Sequence, residues 1–286
     1  MATFSVLKSC PDHSFLSVRC LRLKTAFNNI DIVVHAAALK QVPAAEYNPF
    51  ECIKTNVNGA MNLIDACIDQ GVKKVVALST DKASSPINLY GATKLASDKL
   101  FVASNSSYAS GHKTCFSVVR YGNVMGSRGS VIPLFINQIK SKNDITITDP
   151  EMTRFLMSLE DSVDLVLHAF AKGKQGNIFV QKSPSTTIGE LASTMKKIYN
   201  SPVEIKNIGI RHAEKIHETL LSREERLVAE ELEHYFRVPS DNRDLNYNKY
   251  FFEGKQSKDL EEYNSFNTHR LSEDKLIDLL ASIGYK

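Results

Sequence analysis

The most constraining feature of the sequence is a series of short apolar runs separated by longer segments of helical period. The runs occupy residues 32–35, 75–78 and 116–119. Between the first two, residues 49–70 place large apolar side chains at steps of three or four positions, and Gly71 is a suitable helix stop: Ile53, Val57, Met61, Ile64 and Ile68. Strands that are apolar on both faces and joined by helices are typical of a parallel sheet. The sequence therefore predicts an α/β fold with a doubly wound parallel sheet.

The second half of the chain has a looser pattern. A loop containing Gly and Ser is expected at residues 122–130. Helical periodicity returns at residues 159–171, an apolar run at 178–181 predicts a strand, and residues 273–283 form a closing amphipathic helix. We expect residues 155–182 to return to the sheet.

Composition excludes several classes of protein. The 286 residues are 43% hydrophobic, which is enough for a sizeable core, and the net charge of +3 comes without a long basic run. Nucleic acid is therefore not an expected partner. The five cysteines have no C-x-x-C spacing, so we expect reduced thiols, no metal and a cytoplasmic protein. No segment has the roughly 20 apolar residues of a membrane span, so no membrane insertion is expected.

The segment STDKASSPINLYGATK, residues 79–94, carries the chemistry of greatest interest. Tyr90 and Lys94 are four positions apart and share one face of a helix. A phenol has a pKa of about 10, and a nearby cation favours the phenolate, so the pair can form a base for an alcohol proton. An amphipathic helix with a half-buried tyrosine and a solvated lysine gives the same spacing. The position after a predicted strand favours the functional interpretation, because ligands bind at strand ends in such sheets.

Several further motifs accompany this segment: HAAALKQVP (35–43), KTNVNGAMNLIDAC (54–67), RYGNVMGSRGSVIPLF (120–135), ITDPEMTRFLMSLEDSVDLV (147–166), IRHAEKIHETL (210–220) and YFRVPSDNRDLNY (235–247). With them the chain resembles the extended short-chain dehydrogenase/reductase family. Within it, the likeness is to the UDP-N-acetylglucosamine 4,6-dehydratases and epimerase-like relatives of bacterial polysaccharide and capsule synthesis. The resemblance implies a Rossmann-like NAD(P)-binding domain over residues 1–135, incomplete at its start, and a substrate-binding region over 136–286.

The resemblance also implies a reaction. In these dehydratases, bound NADP (or NAD) takes hydride from C4 of the hexose, water leaves across C5 and C6, and hydride returns to C6. Tyr90 matches the base for the C4 hydroxyl, and Lys94 the residue that binds the nicotinamide ribose and supports the phenolate. Lys82 matches the base at C5, Asp81 the acid for the C6 hydroxyl, and Thr80 the hydrogen-bond partner of the ketone. A solvated ion pair in a loop is the alternative interpretation of Asp81 and Lys82.

By the same resemblance, the cofactor is contacted by Ala36, Ala37, Ala38, Asn56, Ser79, Tyr90 and Lys94. The UDP-sugar substrate is contacted by Lys40, Asn123, Val131, Ile132, Pro133, Leu134, Phe135, Arg211 and Glu214. Arg128 and Arg154 are weaker candidates, since surface pairing explains either one. His35 is expected to be structural and satisfied by its neighbours. A homo-oligomer is expected from the family alone.

The sequence departs from the family at its start. The family opens with a strand, a glycine-rich turn and a helix that bind the cofactor pyrophosphate. Here the first glycine is Gly59. Residues 15–23 look like a degenerate form of the family's third strand and the start of the helix that follows it, and the helix start is recognisable again at residues 23–30. Residues 1–14 resemble nothing in the family, and we expect them to be disordered or out of frame. A truncated gene model, a decaying gene and a partner chain that supplies the missing half are the three explanations.

Three functions remain open. A 4,6-dehydratase is the leading one, because a UDP-sugar 4-epimerase shares the oxidation at C4 but needs no acid–base pair such as Asp81 and Lys82. The C-terminal motifs, however, are most like capsule enzymes described as epimerases or bifunctional dehydratase/C5-epimerases, which tend to lack the tyrosine found here at Tyr90. A truncated, non-catalytic remnant that keeps a sugar-nucleotide site is the third possibility.

Overall fold

The computed structural model describes residues 4–7, 20–107, 112–127, 129–240 and 260–285. Its main sheet has seven strands in the order β1-β2-β3-β4-β8-β13-β12. The strand bounds are β1 Phe4–Leu7, β2 Ile32–His35, β3 Lys74–Leu78, β4 Cys115–Arg120, β8 Asn177–Gln181, β12 Glu230–Glu231 and β13 Tyr235–Val238. Within this sheet, β1, β2, β3, β4 and β8 run parallel to one another. At one edge β13 pairs antiparallel with β8, and β12 pairs antiparallel with β13.

Helices cover both faces of this sheet. The described helices, three of which belong to a second core, are α1 Cys20–Ala26, α2 Val42–Tyr47, α3 Pro49–Ile53, α4 Gly59–Asp69, α5 Leu89–Ser107, α6 Val131–Lys140, α7 Leu159–Lys172, α8 Ile188–Ile198, α9 Arg223–Val228 and α10 Glu273–Ser282. Successive side chains of β3 point to opposite faces, so Val75 packs in the cluster under α1, α4 and α5, whereas Val76 packs under α7. The α/β, doubly wound class predicted from the apolar runs is confirmed.

A second core lies in the later part of the chain. It joins α6, α8 and α10 to two short strands, β6 Ile145–Ile147 and β10 Ile205–Asn207, which pair in parallel. The remaining short strands are β5 Asn123–Val124, β7 Thr153–Met157, β9 Ser185–Thr187, β11 Thr219–Leu221 and β14 Tyr263–Asn264. The expected boundary between the NAD(P)-binding domain and the substrate-binding region, at residues 135 and 136, falls inside α6. We therefore propose that this domain boundary lies before Val131.

The expectation of disorder for residues 1–14 is wrong where the structure describes them. Phe4–Leu7 forms a strand that pairs in parallel with Ile32–His35 at the sheet edge. The degenerate strand expected at residues 15–23 lies mostly outside the described residues, and only α1 is seen there.

The helix predicted at residues 49–70 is divided by a π-helical turn, Lys54–Asn58. The predicted apolar face is therefore only partly buried: Ile64 is in the core, but Met61 is 38% exposed. Smaller residues one position away, such as Ala60 and Cys67, face the core instead, because they allow the helix to approach the sheet closely. The predicted stop is confirmed, since Gly71 has the positive φ of +66° that ends many helices.

A fully buried arginine connects the sheet to the chain's later segments. Arg120, at the end of β4, lies with its Nη1 2.7 Å from a carboxylate oxygen of Glu225 and its Nη2 3.4 Å from Asp98. It also donates a hydrogen bond of 3.0 Å to the carbonyl of Leu220. The two carboxylates compensate a charge that would otherwise be costly to bury.

We expect Arg120→Met to lower the free energy of unfolding by about 3–5 kcal/mol, because it leaves buried carboxylate charge without its partner. Urea denaturation measures this difference. Lys197→Met is the control: its ion pair with Glu273 is exposed, with side chains 63% and 51% accessible, and such pairs contribute less than about 1 kcal/mol. Equal losses in the two variants would contradict the structural role assigned to Arg120.

Candidate active site

The candidate site forms where β3 ends. The chain continues from β3 through Ser79 and Thr80 into a short 3-10 turn, Asp81–Ala83, and then enters α5. Gly91 allows α5 to contact this turn, because a Cβ atom at that position would lie 2.2 Å from the carbonyl oxygen of Lys82. The close approach brings the first turn of α5 beside the Asp81–Lys82 dipeptide.

Tyr90 is buried at the start of α5, where it was predicted, with 8% of its surface exposed. Burial raises the pKa of the Tyr90 hydroxyl above its usual value, whereas the charge of Lys82 and hydrogen bonding by Thr80 lower it. The cation with the largest effect on Tyr90 is thus Lys82. Sequence reasoning assigned this role to Lys94.

Lys94 lies deeper on the same helix. Its Nζ donates a hydrogen bond of 2.7 Å to the carbonyl of Leu78, the last residue of β3. Burial lowers the pKa of Lys94, and the nearby Asp98 carboxylate opposes this shift. An ammonium has three N–H donors, so Lys94 can still bind a ligand hydroxyl at this strand end.

Asp81 and Lys82 form part of a three-residue cluster of charges. The Nζ of Lys82 lies 3.0 Å from Asp81 Oδ1 and 3.2 Å from Glu218 Oε1. Both carboxylates are almost fully buried, at 1% and 3% exposure. A solvated loop pair does not describe this arrangement. Thr80 completes it by donating a hydrogen bond of 2.8 Å to Asp81 Oδ1.

Glu218 is the member of the cluster that sequence reasoning missed. It lies immediately before β11, far along the chain from Lys82, so no local spacing connects the two. The usable signal was a carboxylate directly preceding the buried run Thr219–Leu221, within a segment that already matched the family.

The residues predicted to contact the cofactor lie near the ends of β2 and β3. Ala36, Ala37 and Ala38 follow β2 with small side chains, of which only that of Ala37 is buried. The Asn56 side chain accepts a 2.9 Å hydrogen bond from the amide of Leu39 and donates one of 3.0 Å to its carbonyl. The Ser79 hydroxyl donates to Asp98 at 2.7 Å. Asn56 and Ser79 are therefore engaged in holding protein segments in place.

The predicted substrate residues of α6 divide into two groups. Ile132 and Phe135 are buried in the second core, at 1% and 0% exposure, so they do not line an open site. Val131 and Pro133 are half-buried and Leu134 is exposed, so these three keep the predicted role as a prediction. The α-helical period explains the division, since Ile132 and Phe135 are three positions apart and share the buried face of α6.

Other predicted substrate residues lie in loops and in the short strand β5. Lys40 and Arg211 are exposed, and Asn123 in β5 is half-buried. Glu214 accepts a hydrogen bond of 3.3 Å from the Arg211 amide and lies 3.6 Å from Arg154. These contacts engage the Glu214 carboxylate within the protein. Arg128 lies outside the described residues.

Arg154 is not a surface residue, contrary to the surface pairing that sequence analysis allowed. It is 8% exposed and donates hydrogen bonds of 2.8–3.0 Å to three backbone carbonyls, those of Thr153, Lys215 and Ile216. Arg154 therefore fixes the loop that precedes Glu218.

His35 is buried at the end of β2, but the expectation that its neighbours satisfy it is wrong within the described part of the chain. Neither ring nitrogen has a hydrogen-bond partner there, and the ring packs on Phe101 at 5.5 Å between centroids. Burial, with a smaller contribution from the Lys94 charge, lowers the pKa of His35 to about 3.

This shift predicts a pH-dependent stability. Between the unfolded pKa of about 6.5 and the folded value near 3, the unfolded chain binds a proton that the folded chain does not. The contribution of His35 is complete above that window and is lost as the pH falls through it, by up to about 1.4 kcal/mol per pH unit.

We expect His35→Leu to reduce the dependence of the free energy of unfolding on pH between 6 and 4, as measured by urea denaturation. His234→Leu, at an exposed position, is the matched control and should leave the slope unchanged. An unaltered slope in His35→Leu would show that His35 titrates alike in both states.

Two features are absent from the described residues. No helix among them is long and apolar enough to cross a membrane. They also contain no group of three or more His, Cys, Asp or Glu side chains placed to hold a metal ion.

The parallel sheet, and the helix after its strand β3 that bears Tyr90 and Lys94, are typical of the extended short-chain dehydrogenase/reductase family. A family model described as "Polysaccharide biosynthesis protein" matches residues 15–240, and one described as "Polysaccharide biosynthesis protein C-terminal" matches residues 241–285. The chain belongs to this polysaccharide biosynthesis family, in the sugar-nucleotide dehydratase and epimerase class.

Similar proteins agree with this placement. A Rickettsia felis protein named UDP-glucose 4-epimerase is 55% identical over 261 residues, which is 91% of this chain and 76% of that protein. Its Rickettsia rickettsii namesake is 54% identical over the same shares. The solved structure of Pen from Bacillus thuringiensis has a TM-score of 0.82 at 40% identity, covering 92% of this chain and 79% of Pen. DesIV, a dTDP-glucose 4,6-dehydratase from Streptomyces venezuelae, has a TM-score of 0.64 at 22% identity over 69% and 66% of the two chains. That likeness concerns the fold alone.

Proposed function

We propose that the chain is a nicotinamide-dependent UDP-sugar 4-epimerase, acting on UDP-glucose or UDP-N-acetylglucosamine. The observation that carries the proposal is the burial of Tyr90 beside Lys82 and Thr80 at the end of β3. The relatives named UDP-glucose 4-epimerase, at 54–55% identity over 91% of this chain, support this choice of reaction.

The arrangement suits a reaction confined to C4. Epimerisation there needs a group that takes the proton of the C4 hydroxyl and later returns it, and Tyr90 is the available acid–base group. The burial of Tyr90 disfavours its phenolate, so the adjacent Lys82 ammonium is needed to stabilise it. Lys82 does this as a cation, and its contacts with two carboxylates keep it charged.

The described residues fit the nicotinamide end of NAD or NADP. Ala36, Ala37 and Ala38 leave room at the end of β2, and the buried Lys94 offers N–H donors to ribose hydroxyls. The cofactor would supply a reversible hydride acceptor for C4 when bound. Asn56 would hold the alanine-containing loop through both of its bonds to Leu39.

We expect Tyr90→Phe to lower kcat for the interconversion of UDP-glucose and UDP-galactose by about 10²-fold or more, because it removes the acid–base group. A coupled assay for UDP-galactose measures the rate. Tyr199→Phe is the control, since Tyr199 packs against the second core. Unchanged activity in Tyr90→Phe would contradict the proposed role, and a wild-type chain that binds UDP-glucose but converts nothing would favour the non-catalytic alternative.

A 4,6-dehydratase is the second candidate, and one observation favours it. Burial, reinforced by Glu218, raises the pKa of Asp81 above its usual value, and Asp81 Oδ2 has no hydrogen-bond partner among the described residues. A carboxyl group in this state can donate a proton to a leaving C6 hydroxyl. Lys82 at 3.0 Å would be the partner base.

Incubation with UDP-N-acetylglucosamine distinguishes the two reactions. We expect NMR spectra to show the 4-epimer without a 4-keto-6-deoxy product. Asp81→Asn should then reduce epimerisation less than Tyr90→Phe does, because Glu218 still compensates Lys82. A 4-keto-6-deoxy sugar from the wild type, lost in Asp81→Asn, would establish the dehydratase instead.

A homo-oligomer is also proposed for this chain. Phe50 in α3 and Met61 in α4 are 76% and 38% exposed. Large exposed apolar side chains are candidates for such a contact surface.

A further inference from the structure

Glu218 reaches the candidate active site from the chain's later region. Its Oε1 lies 3.2 Å from Lys82 Nζ, on an ammonium that also contacts Asp81 at 3.0 Å. The Glu218 side chain is 4% accessible, so water screens this ion pair little. Its second oxygen, Oε2, is buried and has no hydrogen-bond partner within the described ranges.

The main chain of Glu218 is fixed on both sides. Its amide donates a hydrogen bond of 2.9 Å to the Ser265 hydroxyl, and its carbonyl accepts one of 2.8 Å from the Ser265 amide. Ser265 is fully buried and its hydroxyl donates to the carbonyl of Thr153 at 3.1 Å. The carboxylate therefore has a fixed base from which to contact Lys82.

The charges around Lys82 come from several elements. Asp81 and Tyr90 face it from the turn and from α5, Glu218 from the start of β11, and Arg154 from β7. Lys215 lies near the same group. Burial alone would lower the pKa of Lys82, but the two carboxylates outweigh it and raise the pKa above its usual value.

The pKa values of the two carboxyl groups shift in opposite directions. Burial raises the pKa of Asp81. For Glu218 burial acts in the same sense, but the charges of Lys82, Arg154 and Lys215 outweigh it and lower its pKa. Of the two carboxyl groups in contact with Lys82, Glu218 is therefore the one whose surroundings favour the charged form.

We propose that Glu218 is a positioning residue that holds Lys82 as a cation beside Tyr90 and thereby directs the site to C4 epimerisation over elimination. Elimination needs a neutral Lys82 amine to take the C5 proton. The C5–H electron pair then forms the C5–C6 double bond, and the C6 hydroxyl leaves as water with a proton from Asp81. An ammonium cannot accept that proton. This inference rests on the proposed function, in which Lys82 acts only by its charge.

The test compares Glu218→Gln with Glu262→Gln in the full chain. Gln keeps the size of Glu218 and removes its charge, whereas Glu262 contacts Thr219 and Asn264 and serves as the control. The first measurement is the rate at which a small amine-reactive acylating reagent labels Lys82 at pH 9, followed by mass spectrometry. This rate reports the neutral fraction of the amine and requires no enzymatic activity.

We expect Glu218→Gln to lower the pKa of Lys82 by about 1–3 units, since it removes an opposite charge in contact. The labelling rate should then rise about tenfold or more, because each pKa unit changes the neutral fraction tenfold. The second measurement is the product mixture from UDP-N-acetylglucosamine, and we expect the 4-keto-6-deoxy sugar to be absent with the wild type and detectable with Glu218→Gln.

The outcomes are separable. Unchanged labelling in Glu218→Gln, or a rise equal to that in Glu262→Gln, would overturn the inference whatever the activity. A wild type without epimerase activity would refute the proposed function, while the labelling experiment would still decide how Glu218 affects Lys82. If Glu218→Gln does not fold, Glu218→Asp, which keeps the charge, is the second variant. It supports the inference if labelling stays near wild type and overturns it if labelling rises tenfold.

Discussion

The structure depends on the compensation of buried positive charge. Lys82 contacts Asp81 and Glu218, and Arg120 contacts Asp98 and Glu225. In each cluster one carboxylate is local to the sheet and its helices, whereas the other comes from residues 218–225. Because an unpaired buried charge is costly, this short segment is held to the ends of β3 and β4. The ion pairs that balance the buried charges therefore also attach residues 218–225 to the sheet.

That requirement also shapes the chemistry of Tyr90. A buried phenol without a cation has its pKa raised by desolvation, and only a charge in the same low-dielectric surroundings offsets this effect strongly. Lys82 is such a charge, but it is also surrounded by acids that strengthen its hold on its proton. One ammonium therefore cannot both support a phenolate and serve readily as a base. Lys82 as an ammonium suits epimerisation at C4, whereas Lys82 as a neutral amine suits elimination across C5 and C6.

Sequence alone was sufficient for the features that depend on local pattern. The apolar runs predicted the parallel strands, and the spacing of Tyr90 and Lys94 placed both on α5. Sequence analysis failed for contacts between residues far apart in the chain and for packing that depends on residue volume. Glu218 pairs with Lys82 across more than a hundred positions, so no periodicity reports it. The face of α4 was misplaced because small residues such as Ala60 pack closest to the sheet, whereas the pattern weighted large ones such as Met61.

Gly91 gives the spacing between Tyr90 and Lys82 an unusual origin. The helix rests on the turn through main-chain atoms, with no side chain between the Gly91 backbone and the Lys82 carbonyl. The separation of the Tyr90 and Lys82 backbones is consequently set by this main-chain contact. Reactive side chains along this turn could therefore change during evolution, and with them the products, while the backbone contact between α5 and the turn stays the same.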